Sequence, residues 1–109
     1  MPIYNKLVRD KIPQVIEKTG KVFKTSILSN EQYIIELQKK AFEELEEYIH
    51  AGNHEEAIEE LADLLEIIHA FAEYHGSTIH DVEKVREIKA EERGGFKERV
   101  FLIEVENEQ

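Results

Sequence analysis

The 109-residue sequence predicts an all-α, mainly helical fold: an antiparallel helical bundle carrying a short two-stranded β ribbon. Three observations point there. Three long segments carry apolar residues at helical spacing, each opened by a capping residue and closed near a glycine. Only residues 21–28 and 96–105 are rich in β-branched and aromatic types. Two prolines and five glycines exclude a long linker, so residues 1–109 are read as one domain.

Residues 10–20 hold a short helix, with Asp10 as its cap, Pro13 in the first turn, Val15 and Ile16 on one side and Gly20 at its end. Residues 21–28, KVFKTSIL, read as a strand. Ser29 with Gln32 forms a capping-box signature for a helix running to about Ala51, where Gly52 stops it. Asn53 caps the next helix, which continues to about His75 before Gly76. Thr78 with Asp81 opens a third, through about Glu92, broken by Gly94 and Gly95. The tail FKERVFLIEV, residues 96–105, alternates as a second strand. It is expected to pair with the first, because isolated strands are marginal alone.

Composition removes several function classes. The absence of cysteine rules out disulfides, thiol catalysis and zinc–thiolate sites. No apolar run approaches the roughly 18 residues of a membrane helix, and the N-terminus lacks a signal-peptide core. A cytoplasmic protein with no membrane contact is expected. A net charge of −10 argues against a nucleic-acid partner. The charge is segregated: residues 1–24 carry six Lys/Arg against two acids, residues 25–83 two against fifteen, and residues 84–99 six more basic side chains. An acidic middle between basic ends suits a protein that holds a metal ion and a phosphate together, and helix-surface ion pairing produces the same layout. His50 and His54 straddle Gly52, and His69 lies opposite Glu60, so no histidine metal site is expected. Neither a phosphate-binding loop nor a serine nucleophile motif is present.

The carboxylates divide by helix face. On the first long helix Leu37, Ala41, Leu45, Tyr48 and Ile49 form an apolar arc, with Lys40, Glu44 and Glu47 on its flank. That flank by itself fits a solvated face. On the second, Glu60 and Asp63 lie on a stripe continued by Leu64, Ile67 and Phe71, and the other sides are apolar too. Such a helix is expected to be buried on several sides, in a bundle or an oligomer. An acid there fits a solvated strip, an ion pair with Lys or Arg, or a metal ligand. Glu44–Glu47 and Glu60–Asp63 are each spaced i, i+3, and a tight connection at Gly52–Asn53 makes their helices antiparallel neighbours. Four oxygen donors then converge, which favours a hard cation, Mg²⁺ first and Mn²⁺ second.

The arrangement Glu-x-x-Glu, twelve residues, Glu-x-x-Asp resembles the metal motif of the all-α nucleoside triphosphate pyrophosphohydrolases. That superfamily includes MazG, dimeric dUTPases and phosphoribosyl-ATP pyrophosphohydrolase. KAFEELEE (40–47) and EELAD (59–63) are close to its MazG-like members. The opening YNKLVRDKIP and the closing KAEERGGFKERVFL are similar to a small group described as house-cleaning pyrophosphatases or as phosphoribosyl-ATP pyrophosphohydrolase-like. The resemblance implies Mg²⁺-dependent cleavage of a nucleoside triphosphate, ordinary or damaged, between its α and β phosphates. It implies Glu44, Glu47, Glu60 and Asp63 as the catalytic metal ligands, and Lys40, Lys89 and Arg93 as phosphate-binding residues. Lys6, Arg9 and Lys11, in the N-terminal motif, are assigned to phosphate or nucleotide binding. A homodimer or homotetramer is implied as well. The histidine-pathway enzymes lack these end motifs and carry Tyr-His soon after the Asp, where this chain has LLEIIH. Genuine phosphoribosyl-ATP hydrolysis is therefore an alternative, as is a non-catalytic helical interaction protein. Glu43, Glu56 and Glu59 are the candidates for accepting the proton of an attacking water.

Overall fold

The computed structural model describes residues 2–107. Over these residues the chain is all-α, with helices α1 (Ile12–Glu17), α2 (Asn30–Ile49), α3 (His54–Tyr74) and α4 (Ile79–Arg93). The three long helices start at the caps read from the sequence. Ser29 Oγ accepts the Gln32 N–H at 3.3 Å, Asn53 Oδ1 the Glu56 N–H at 2.9 Å, and Thr78 Oγ1 the Asp81 N–H at 3.3 Å. Each bond satisfies a donor that the helix leaves without a partner, at about 1 kcal/mol per cap. The end of α3 is closed from the other side. Gly76, at φ 73°, donates to the Glu73 carbonyl, and the Ser77 N–H reaches back to that of Ala72, both at 2.9 Å. That is the Schellman arrangement, and its left-handed position favours glycine. The start of α1 differs from expectation. Its cap position is Lys11, with no side-chain cap bond, so Asp10 stands one residue too early to serve.

A four-residue connection, 50–53, folds α2 back along α3 as an antiparallel hairpin. α3 packs against both α2 and α4, and among the described residues α2 and α4 do not meet. The hairpin seam buries Leu37 from α2 and Ile67 from α3.

Two expectations need correction. Among the described residues there is no strand, so the β ribbon of residues 21–28 and 96–105 is not formed. Val22, Ile27, Phe96 and Phe101 stand in solvent. Strand preference expresses itself by packing on a half-buried sheet face, and neither segment has such a face beneath it. The apolar arcs of the hairpin are the second case. Leu45 and Ile49 on α2, and Ile58, Leu61 and Leu65 on α3, are exposed, so α3 is not enclosed on several sides within one chain. The chain presents 10553 Å² to solvent, where a compact monomer of its mass presents about 6,300 Å². Its radius of gyration is 19.0 Å, against about 13 Å for a compact domain of this length. Among the described residues no helix is long and apolar enough to cross a membrane.

Leu37 is 4% exposed. Replacing it with alanine should lower the unfolding free energy by about 2–4 kcal/mol, through lost burial plus the cavity left behind. Asn53→Ala, which removes one cap, should cost about 1 kcal/mol. Urea unfolding monitored by circular dichroism measures both, and equal costs would contradict the packing described here.

Candidate metal centre

The tight turn of the hairpin sets the C-terminal half of α2 beside the first turns of α3. Glu44 and Glu47, one helical turn apart on α2, thereby meet Glu60 of α3. One carboxylate oxygen from each lies within 4.8 Å of the others. Glu44 is the deepest of the three at 8% exposed, Glu60 is half-buried and Glu47 is exposed. The flank position that fits a solvated face is thus the one charged residue buried among the described residues.

The electrostatics of the trio are unbalanced. With all three ionised the cluster has acceptors and no donor, and Glu44 Oε2 and Glu60 Oε2 are shielded from solvent without any hydrogen-bond partner. The carboxyl of Glu60 is pushed up to about 7, first by its hydrogen bond with Glu47, then by that with Glu44, and then by burial. These contacts favour a proton on one member of the trio, and near neutral pH Glu60 is at the middle of its titration. Burial also raises the Glu44 carboxyl, and the charges of Glu47 and Asp63 add to it, against a lowering contact from Glu60. Whatever replaces that proton must be positive and take oxygen ligands. The donor set fits a hard divalent cation.

Asp63, expected as the fourth ligand, faces another partner. Its Oδ1 accepts a hydrogen bond from Arg9 Nη2 at 2.6 Å. Lys6 Nζ stands 3.8 Å from Glu43. The N-terminal segment therefore lies along the acidic end of the hairpin and brings two of the expected phosphate-binding residues to it. Lys6 also lines a 170 Å³ hollow with Lys39 and Lys40, closed by Glu36 and Glu43. Lys39 pairs with Glu36 at 3.1 Å, and Lys40 has no ion-pair partner among the described residues. Lys89 and Arg93 are not brought in. They sit on α4, which does not touch α2, and no ion pair joins them to the four carboxylates among the described residues. Lys11 occupies the N-cap position of α1 without a side-chain cap bond and is exposed. Of the proton-acceptor candidates, Glu56 is taken up by the Gly52 N–H at 2.8 Å and Glu43 by Lys6, while Glu59 is exposed.

The opposite end of the hairpin carries a 520 Å³ cavity lined by Asn30, Tyr33, Glu73 and Tyr74. The two tyrosine rings are 6.3 Å apart and tilted by 49°. Burial first, then the charges of Asp10 and Glu73, raises the Tyr33 phenol.

No protein-family model matches the chain, and neither the curated proteins nor the solved structures contain a match. The residues themselves carry the functional argument. Helical spacing identified the carboxylates but not the depth of Glu44, nor the pairing of Asp63 with Arg9. The only sequence signal for that pairing was the concentration of basic side chains in the first 24 residues.

The raised Glu60 carboxyl has a signed consequence. Its pKa in the folded chain lies above the ordinary glutamate value of 4.5, so its contribution to stability is full below pH 4.5 and is lost as pH rises to about 7. Without divalent cations the melting temperature should fall across that window, and Glu60→Gln should flatten the fall. An equally steep profile in the variant would place the titration elsewhere.

Proposed function

We propose that this chain is an Mg²⁺-dependent nucleoside triphosphate pyrophosphohydrolase of the MazG-like type, with Mn²⁺ as a substitute. It cleaves the α–β phosphoanhydride to release a nucleoside monophosphate and pyrophosphate. One observation carries the reading. Two shielded carboxylate oxygens without partners, Glu44 Oε2 and Glu60 Oε2, belong to a three-carboxylate set contributed by two facing helices. Buried acids in such a state are costly unless a cation completes them. The spacing of Glu44, Glu47, Glu60 and Asp63, with the motifs at both chain ends, supports phosphoanhydride chemistry as its use.

In this reading Glu44, Glu47 and Glu60 hold the metal, with Asp63 one turn further along α3 as the fourth donor. When bound, the ion supplies a polarised phosphoryl oxygen, an activated water and charge neutralisation of the leaving pyrophosphate. Lys6, Arg9 and Lys40 offer positive charge beside the carboxylates, where the triphosphate would lie. Lys89 and Arg93 reach phosphate only through assembly. The exposed apolar faces of α2 and α3 support a homodimer or homotetramer. The surface in excess of a compact monomer is on the order of 4,000 Å², the scale of an obligate interface. The net charge of −10 speaks against a nucleic-acid partner, and the protein is proposed to work on free nucleotides in the cytoplasm.

Pyrophosphate release tests the activity, using Mg²⁺ or Mn²⁺ with ordinary nucleotides, damaged nucleotides and phosphoribosyl-ATP. Monophosphate and pyrophosphate should appear in equal amounts from at least one substrate, and Glu60→Gln should lower kcat by about 100-fold or more. If none of the panel is cleaved, the enzymatic reading fails and a non-catalytic helical protein takes its place. Sedimentation at micromolar concentration should show a dimer or tetramer, and a monomer there would overturn the assembly.

A further inference from the structure

The pairing of Arg9 with Asp63 poses a question that the carboxylate trio does not answer. Asp63 stands outside the close trio but near enough for its charge to act on Glu44, and its Oδ1 is engaged by a guanidinium 54 residues away in sequence. The segment that carries Arg9 is lightly held. Residues 2–9 have no regular secondary structure, Asn5 adopts φ 46°, and α1 packs on no other helix among the described residues. Its charged contacts to the hairpin are Arg9–Asp63 and Lys6–Glu43, both at acids beside the metal set. Both side chains of the Arg9–Asp63 pair are partly solvated, at 55% and 40%, which puts the pair in the range where breaking it costs little.

From these observations we infer that Arg9 is a positioning residue, an internal cation that occupies Asp63 until a divalent metal displaces it. Metal and guanidinium compete for the same oxygen, so binding the metal releases Arg9 and loosens the segment before α1. The freed guanidinium is then available to a phosphate, for which its planar fork is well shaped. The inference rests on the metal reading above. It goes further by making Asp63 a shared ligand and the metal-free chain a self-neutralised state. The apparent metal affinity is reduced by the fraction of time Arg9 holds Asp63.

The sign of a substitution separates this from a purely structural or purely phosphate-binding role. Arg9→Gln should bind Mn²⁺ tighter than the wild type, by about two- to five-fold, because an exposed pair of this kind is the obstacle removed. Arg9→Lys keeps a competing cation and should return the affinity toward the wild-type value. Arg86→Gln removes one positive charge that pairs with Glu83 on α4, away from the hairpin's acids, and controls for net charge. It should change the affinity less than Arg9→Gln does. Mn²⁺ titration calorimetry on the full chain, without nucleotide, reads all four proteins. Equal or weaker binding by Arg9→Gln overturns the inference while leaving the metal site standing. Absence of Mn²⁺ binding in every protein overturns both. A second measurement needs no variant: the Arg9 guanidinium resonance, followed by NMR as Mg²⁺ is added. It should move to the position of a solvated arginine, with the Arg86 signal unchanged, and a fixed Arg9 signal at metal saturation refutes the exchange.

Discussion

The seam between α2 and α3 buries a carboxylate beside two hydrocarbons, and the rest of the molecule is arranged around that fact. Leu37 and Ile67 exclude water from the hairpin, and Glu44 comes in with them. A charge in such a place is tolerated only when something positive comes with it. A shared proton is one solution, and the raised carboxyls of Glu44 and Glu60 express it. The proposed divalent cation would be another, because it would satisfy several oxygens at once and offset the charges of Glu47 and Asp63 that act on Glu44.

What could be read in advance depended on how far apart along the chain the interacting groups lie. Ser29, Asn53 and Thr78 each bond a backbone N–H three residues on, so the helix starts were visible in short words of sequence. Glu44 with Glu47, and Glu60 with Asp63, were visible as pairs because helical spacing is a local rule. The depth of Glu44 was not. The apolar arc of α2 suggested that Leu37, Leu45 and Ile49 all face the core, whereas only Leu37 of these is buried, Leu45 and Ile49 stay exposed, and Glu44 from the flank goes inward. The Arg9–Asp63 bond was equally hidden, since nothing local ties residues so distant in sequence. The β ribbon failed for a related reason: KVFKTSIL and FKERVFLIEV have strand preference, but preference is realised only on a surface that this chain does not supply.

The same division separates what the chain closes on itself from what it leaves exposed. The acidic end of the hairpin is furnished with its carboxylates and with cations from the N-terminus. The hydrophobic side is unfinished, with Ile58, Leu61 and Leu65 of α3 and Val82, Val85 and Ile88 of α4 all exposed. α4 does not meet α2, and among the described residues no ion pair joins Lys89 or Arg93 to the carboxylates of the hairpin. The chemistry of the site and the cohesion of the molecule thus draw on different surfaces, and a substitution can weaken one without reaching the other.

The connection at residues 50–53 has a bearing on how the molecule comes into being. Every carboxylate of the proposed metal set lies on the two helices that this short connection joins, and Glu44, Glu47 and Glu60 of that set meet across the hairpin. Bringing them together closes only a small loop, so the entropic cost is low and the contacts form early in a search dominated by local encounters. The carboxylate cluster is therefore a product of hairpin formation, and it precedes the slower contacts that require distant segments of the chain. If the proposed metal site holds, a nascent chain would gain its ligands before its final shape, and the ion would act as a template for the hairpin as well as an occupant of it.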